Sequence, residues 1–176
     1  MIAPEIIKLP RIHLRRPKLS DAEAIFEYGS DPEVGRYSDW LIQTTIEPVI
    51  ELLHERSKRW KSGTEFYWVI TLPEEDRAIG GISCRVDGHA AEFGYLINRR
   101  YWGNGFATDA SRAIVEWLFS MPSIWRVWAT CDTENLASVR VLEKVGLERE
   151  GILRRWAVRP NISSEPRDAF IYSKVR

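Results

Sequence analysis

Gly103 and Gly105 stand between an apolar run and a helical one. Phe93-Gly94-Tyr95-Leu96-Ile97 reads as a buried strand, and Ala110 to Phe119 reads as a helix. A helix N-terminus carries amide N–H groups without intrahelical partners and a partial positive charge. That combination binds anions, phosphates above all, and glycines let a phosphate approach the backbone. The stretch from Tyr101 to Asp109 is therefore a candidate diphosphate site. The same spacing also fits a tight strand-to-helix turn with no ligand. It is neither a dinucleotide fingerprint, whose third glycine would fall at Thr108, nor a Walker A loop, which needs a Gly-Lys-Ser/Thr ending.

Other residue types suited to chemistry lie around this stretch. Strand alternation puts Glu92, Gly94 and Leu96 on one face of the strand that meets the loop. A carboxylate there can take a proton from an amine, or it can be a solvated or salt-bridged strand glutamate. Tyr37, Asp39 and Trp40 fall in a stretch without periodicity, Ser30 to Thr45, which reads as an irregular loop. Such a loop is either plain connection or a substrate wall. As a wall it would grip an amine by charge and cation–π contact. His13, His54 and His89 have no motif context, and Cys84 and Cys131 lack metal-ligand spacing, so no metal is expected.

Positioning these residues takes one domain, spanning residues 1–176, large enough to bury a real core. Arg11 to Arg15 alternates as a first strand. Ser20 and Glu23 have the spacing of a capping box for a helix ending near Gly29, as do Thr44 and Glu47 for a helix closed by Gly63. Phe66 to Leu72, Ala78 to Val86 and Ala91 to Ile97 form an antiparallel meander, with Asp87-Gly88 as a hairpin turn. After the glycine loop and its helix come a strand, Trp125 to Cys131, and helix-cap residues from Asp132 to Asn135. A helix closed by Gly146 follows, then strands Ile152 to Val158 and Asp168 to Lys174 around a polar loop from Arg159 to Pro166. This order predicts a mixed α/β sheet. Eight tryptophans imply a rigid aromatic core that takes most of them.

Equal numbers of basic and acidic residues argue against broad nucleic-acid or anionic-membrane binding. No apolar run approaches the length of a membrane span. Met1 to Pro10 is too short and too charged for a signal peptide. Two cysteines suit a reducing compartment, which points to the cytoplasm.

This order of elements resembles the GNAT superfamily of acyl-CoA-dependent N-acetyltransferases over nearly the whole chain. That family's loop pattern, Gln/Arg-x-x-Gly-x-Gly/Ala, maps onto Trp102-Gly103-Asn104-Gly105-Phe106-Ala107, with Trp102 departing from Gln or Arg. Within that family, the chain more closely resembles the branch that contains the bacterial ribosomal-protein N-terminal alanine and serine acetyltransferases. It carries that branch's second pattern from Asn135 through Ser138, Val141, Leu142, Glu143, Lys144 and Gly146 to Glu150-Gly151, while Asp109 stands where the branch usually has Glu. The resemblance implies the GNAT fold, a mostly antiparallel twisted sheet of about seven strands. It would splay between the fourth and fifth, Ala91 to Ile97 and Trp125 to Cys131, and carry about four helices.

The resemblance also implies direct transfer of acetyl from acetyl-CoA, as co-substrate, to a primary amine: a protein N-terminus or a small molecule. The amides of Gly103, Asn104, Gly105, Phe106, Ala107 and Thr108 would bind pyrophosphate, with Trp102 alongside. The strand backbone at Leu96, Ile97 and Asn98 would pair with the pantetheine arm, and the N–H near Leu96 or Ile97 would face the oxyanion. Asn135 would bond the arm. Many family members have a tyrosine as acid where this chain has Leu142, so Ser138 is the implied proton donor to sulfur, and Glu92 is the base. A serine there can equally bond within its own helical turn. A homodimer is common in the family, and exposed tryptophans could serve one. Two rival classes stay open: a non-catalytic acyl-CoA-binding module, and a dinucleotide oxidoreductase with Asp132 at a strand end.

Overall fold

A computed structural model describes residues 3–176. The strands are β1 (Ile6–Lys8), β2 (His13–Arg15), β3 (Glu65–Leu72), β4 (Glu75–Asp87), β5 (Ala90–Ile97), β6 (Arg126–Asp132), β7 (Glu148–Arg159) and β8 (Ser163–Val175). The helices are α1 (Ala22–Gly29), α2 (Pro32–Gly35), α3 (Glu47–Ser62), α4 (Phe106–Ser120) and α5 (Leu136–Val145). All strands join one sheet in the order β1-β2-β3-β4-β5-β6-β8-β7. Every neighbouring pair is antiparallel except β5 with β6. This is a mixed α/β fold, as the order of elements predicts. The eighth strand is β1, only three residues long and too short to show a period.

Local chemistry departs from the sequence expectation at several points. Neither predicted capping box forms. Ahead of α1, Asp21 is the anchor rather than Ser20: its carboxylate accepts the Lys18 N–H at 2.7 Å and binds the Arg15 guanidinium at 2.7 and 2.8 Å. A charged, bidentate partner makes Asp21 a better acceptor than a serine hydroxyl. At α3 the N-cap is Ile46, without a side-chain cap, and Pro48 fills a first-turn position that needs no N–H donor. Within the expected loop from Ser30 to Thr45, α2 forms because Asp31 accepts the Glu33 N–H at 2.9 Å and Pro32 starts the turn. The expected polar loop from Arg159 to Pro166 is mostly strand, with Arg159 already paired to Ser163.

Helices α1, α2 and α3 cover one face of the sheet with Ile25, Tyr28, Val34, Val49 and Leu53. On the other face, α4 and α5 bury Ile114, Leu118 and Leu142 against Phe66, Ile79 and Ile82. Trp60, Phe66, Trp68 and Trp117 meet edge to face with centroids 5.1 to 5.7 Å apart, a favoured geometry for aromatic quadrupoles. The expectation that most of the eight tryptophans are core is not met, because only Trp60, Trp68 and Trp117 join it. Trp102, Trp125 and Trp156 are about half exposed.

The feature that positions the site is the short contact between β5 and β6. They pair only from Ala90–Glu92 to Arg126–Trp128 and then diverge, although β5 runs on to Ile97 and β6 to Asp132. This is the splay that the sequence comparison implied. On its other side β5 presses close to β4: a Cβ on Gly80 would sit 2.4 Å from the Leu96 carbonyl oxygen and 3.1 Å from the Ile97 Cα. Those are backbone atoms, so the strand itself would have to move. Gly80→Ala should therefore destabilise the protein by about 2–4 kcal/mol. Urea denaturation checks this, and a change under about 0.5 kcal/mol would show that β5 has room to spare.

Candidate active site

The glycine loop is built as its sequence suggests. Gly103 and Gly105 both adopt φ of 80°, a left-handed conformation that side chains disfavour. Gly105 is the N-cap of α4, and the first helical bond runs from the Asp109 N–H to the Gly105 carbonyl at 3.0 Å. The amides of Phe106, Ala107 and Thr108 lie ahead of it, unused by the helix. Arg11 reinforces the loop from 93 residues away in sequence: its Nη1 donates to the Asn104 carbonyl at 2.9 Å. Its Nε and Nη2 bind Asp109 at 3.0 and 2.6 Å. The motif positions gave no signal for Arg11.

The Trp102 indole N–H donates to the Ile97 carbonyl at 2.8 Å, which ties the glycine loop to the end of β5. The Asn98 N–H donates to the Ile79 carbonyl at 2.8 Å, which fixes the phase of β5 against β4. By antiparallel alternation, Leu96 and Asn98 turn their backbone toward β4, and Phe93, Tyr95 and Ile97 turn theirs toward the gap. The Asn98 carbonyl accepts from the Tyr101 N–H at 2.9 Å, so both of its backbone groups are engaged within the protein. Of the expected trio, Ile97 is the residue whose N–H faces the opening.

Two ionisable arrangements flank that opening. Glu92 is half-buried, and among the described residues it makes no ion pair. Arg85, its cross-strand neighbour, binds Glu65 instead at 3.3 Å. Burial first, and then the charges of Asp39 and Glu65, raise the Glu92 pKa against the opposing pull of Arg85. On the far face of β5, the Tyr95 hydroxyl donates to Ser138 Oγ at 3.2 Å. Burial raises the Tyr95 pKa well above its ordinary value, so the phenol stays protonated and donates. Ser138 is thus bonded across to the sheet rather than within its own turn. Asn135 Oδ1 caps α5 by accepting the Ser138 N–H at 3.1 Å. The sequence reading missed Tyr95, although strand alternation already placed it on the face opposite Glu92.

Tyr37 lies beside the same corner, its hydroxyl donating to the Glu134 carbonyl at 3.4 Å. Asp39 is exposed and close enough to Glu92 to raise its pKa, and Trp40 is partly buried in the same loop. Asp132 is fully buried and bound by Arg167 at 2.7 and 3.1 Å. Burial pushes its pKa up, but Arg167 and the Glu134 N–H hold it below the usual carboxylate range. That engagement removes the acidic residue a dinucleotide site would need for a ribose.

Unused helix amides next to an open strand edge fit a substrate that is diphosphate at one end and amide-rich beyond it. The family comparison agrees. Residues 11–148 match the acetyltransferase (GNAT) domain, and the chain belongs to that family. The uncharacterized N-acetyltransferase YoaA of Bacillus subtilis is 32% identical over 174 residues, 97% of both chains. The ribosomal protein uS5-alanine N-acetyltransferase of Escherichia coli is 32% identical over 95 residues, 52% of this chain and 49% of the relative. Among solved structures, the microcin C7 self-immunity acetyltransferase MccE in complex with acetyl-CoA and AMP superposes with a TM-score of 0.87. It is 21% identical, with 99% of this chain and 98% of that one covered. The protein is an acetyltransferase that uses acetyl-CoA.

Cys131 lies near the Ser138 corner, and burial first, then Asp132, pushes its thiol up to about 11. Burial likewise pushes Cys84 up to about 12. Native protein at pH 7.5 should therefore react with iodoacetamide at least about a hundredfold more slowly than a free thiol at both positions. Mass spectrometry of labelled native and urea-unfolded protein would show it, and rapid native labelling of Cys131 would contradict the burial described.

Proposed function

We propose that the protein moves acetyl from acetyl-CoA to a primary amine on a protein N-terminus or a small molecule. The observation that carries this reading is the placement of Glu92 on one face of β5, where its pairing with β6 ends, and of the Tyr95–Ser138 pair on the other face. The amides from Gly103 to Thr108 would hold the diphosphate, and the N–H of Ile97 would face the carbonyl oxygen that gains charge. Acetyl-CoA supplies an activated thioester carbonyl and a thiol leaving group. Asn135, whose Oδ1 is taken by the helix cap, would use its amide group toward the pantetheine arm.

Glu92 takes the proton that an alkyl ammonium must lose before its nitrogen can attack. Its raised pKa, set by burial first, makes it a stronger base than a solvated carboxylate. Ser138 gives its proton to the departing sulfur and takes back the proton that the nitrogen of the tetrahedral intermediate sheds, so no alkoxide is left, and the hydrogen bond donated by the Tyr95 hydroxyl holds the serine oxygen in place. Tyr37, Asp39 and Trp40 form the acceptor wall, with Asp39 attracting the cationic amine. The relative named for uS5 alanine makes an alanine-initiated peptide the first acceptor to test. Two unpaired buried cysteines suit a cytoplasmic setting.

The test is thiol release from acetyl-CoA against peptides beginning with alanine or serine and a panel of small amines. Ser138→Ala should lower kcat about a hundredfold or more with acetyl-CoA affinity unchanged. Unchanged kcat in that variant removes Ser138 from the mechanism. Acetyl-CoA binding by the wild type without release from any acceptor counts against the amine reading.

The pH dependence has a definite sign. Glu92 must be ionised to accept a proton, and its pKa is raised, so kcat/KM should fall as pH drops through a value above the usual glutamate pKa of about 4.3. Asp39 contributes to that rise. Asp39→Asn should therefore move the acid limb to lower pH, and Glu92→Gln should abolish the limb along with most of the rate. An acid limb that stays in place in Asp39→Asn would separate the two carboxylates.

A further inference from the structure

The divergence of β5 and β6 divides the sheet into two wings, β1 to β5 and β6 to β8. The β7–β8 hairpin reaches beyond its neighbour: β6 pairs with β8 only from Ala169 onward, so the outer half from Ala157 to Arg167 pairs only with itself. At its tip, Asn161 reaches the opposite wing. Its Nδ2 donates to the Gly35 carbonyl at 2.8 Å, the Trp40 carbonyl at 2.9 Å and Ser38 Oγ at 3.2 Å. Its Oδ1 accepts the Ile42 N–H at 3.2 Å. One side-chain amide thus satisfies both donor and acceptor needs of an eight-residue loop that has no ladder of its own. Ser38 Oγ adds bonds to the Gly35 and Trp40 carbonyls at 2.6 and 2.8 Å. The loop is closely wound: a Cβ on Gly35 would meet Ile42 Cγ1 at 3.0 Å.

We infer that Asn161 is a positioning residue that straps the Gly35–Ile42 segment across the top of the cleft and so shapes the acceptor-binding wall. This rests on the reading that Tyr37, Asp39 and Trp40 face the acceptor. Two contacts of that segment lie at the site. Tyr37 bonds the Glu134 carbonyl beside the α5 cap, and Asp39 acts on Glu92 through its charge. Asn161 itself touches none of the groups placed in proton transfer. Its loss should loosen the wall and leave the phosphate loop, on the other side of β5, unaffected.

Three readouts test this in full-length wild type, Asn161→Ala, Asn161→Asp and Ser38→Ala: hydrogen exchange, acetyl-CoA affinity by calorimetry, and acetylation of an alanine-initiated peptide. Asn161→Asp keeps the acceptor for Ile42 but loses every donor. Exchange protection in residues 35–42 should fall about tenfold or more in both Asn161 variants, and less in Ser38→Ala. The peptide KM should rise about tenfold, with kcat and acetyl-CoA affinity within about twofold. Unchanged protection in Asn161→Ala overturns the strap, as does a parallel loss of acetyl-CoA affinity. Lost protection with an unchanged peptide KM overturns its role in the acceptor wall. Ser38→Ala covers the case in which the Asn161 variants do not fold, since graded loosening confined to residues 35–42 is then the deciding result. If wild type acetylates no peptide, the N-terminal acceptor fails on its own account, and the exchange pattern still decides the strap.

Discussion

A parallel pair of strands that stops pairing after Glu92 is the constraint on which the remaining structure depends. Backbone N–H and C=O groups buried without partners are costly, so a sheet that opens in its middle must either close the gap or give those groups something to bind. This protein does both. The Ile97 carbonyl takes the Trp102 indole, while the gap-facing N–H groups of β5 stay available. The opening is held by packing on both sides: β5 is drawn onto β4 through Gly80, and β6 is tied into a seven-residue ladder with β8.

The same opening separates two electrostatic environments a few residues apart. On one face, Glu92 has burial and two neighbouring carboxylates acting against its ionisation, and only Arg85 acting for it. On the other, Tyr95 is partly buried with a single polar partner, so its proton is held and its hydrogen bond to Ser138 has a fixed direction. Groups with opposed tendencies on opposite faces of one strand suit a reaction that removes a proton at one end and delivers one at the other. Asp132 shows the contrasting case: more deeply buried than either, it is matched by Arg167 and serves to hold the β6–α5 corner in place.

Long-range contacts brace this arrangement. Arg11 locks the glycine loop from the start of the chain, and Asn161 ties the hairpin tip to the Gly35–Ile42 segment. Trp60, Phe66, Trp68 and Trp117 stiffen the first wing below them.

Periodicity placed the meander, the glycine loop, α4 and α5 within a few residues, because each has an amphipathic pattern bounded by glycine or a capping residue. Family likeness in two linked motifs supplied the fold and acetyl-CoA. The capping box predicted ahead of α1 failed because a motif of four residues cannot register that Arg15, on a neighbouring strand, makes Asp21 the stronger anchor, and the one predicted ahead of α3 failed because the helix starts after Ile46 instead of Thr44. The β7–β8 hairpin was underestimated because its polar outer half lacks alternation and pairs only with itself. Ser138 and Glu92 were legible as candidates, but their surroundings were not. Tyr95 reaches Ser138 across 43 residues, Arg11 reaches Asn104 across 93, and Asn161 reaches Gly35 across 126. Local sequence determines which segments become strand, turn and helix. Which side chains meet across the gap depends on how two wings of a splayed sheet are brought together, and no local pattern encodes that.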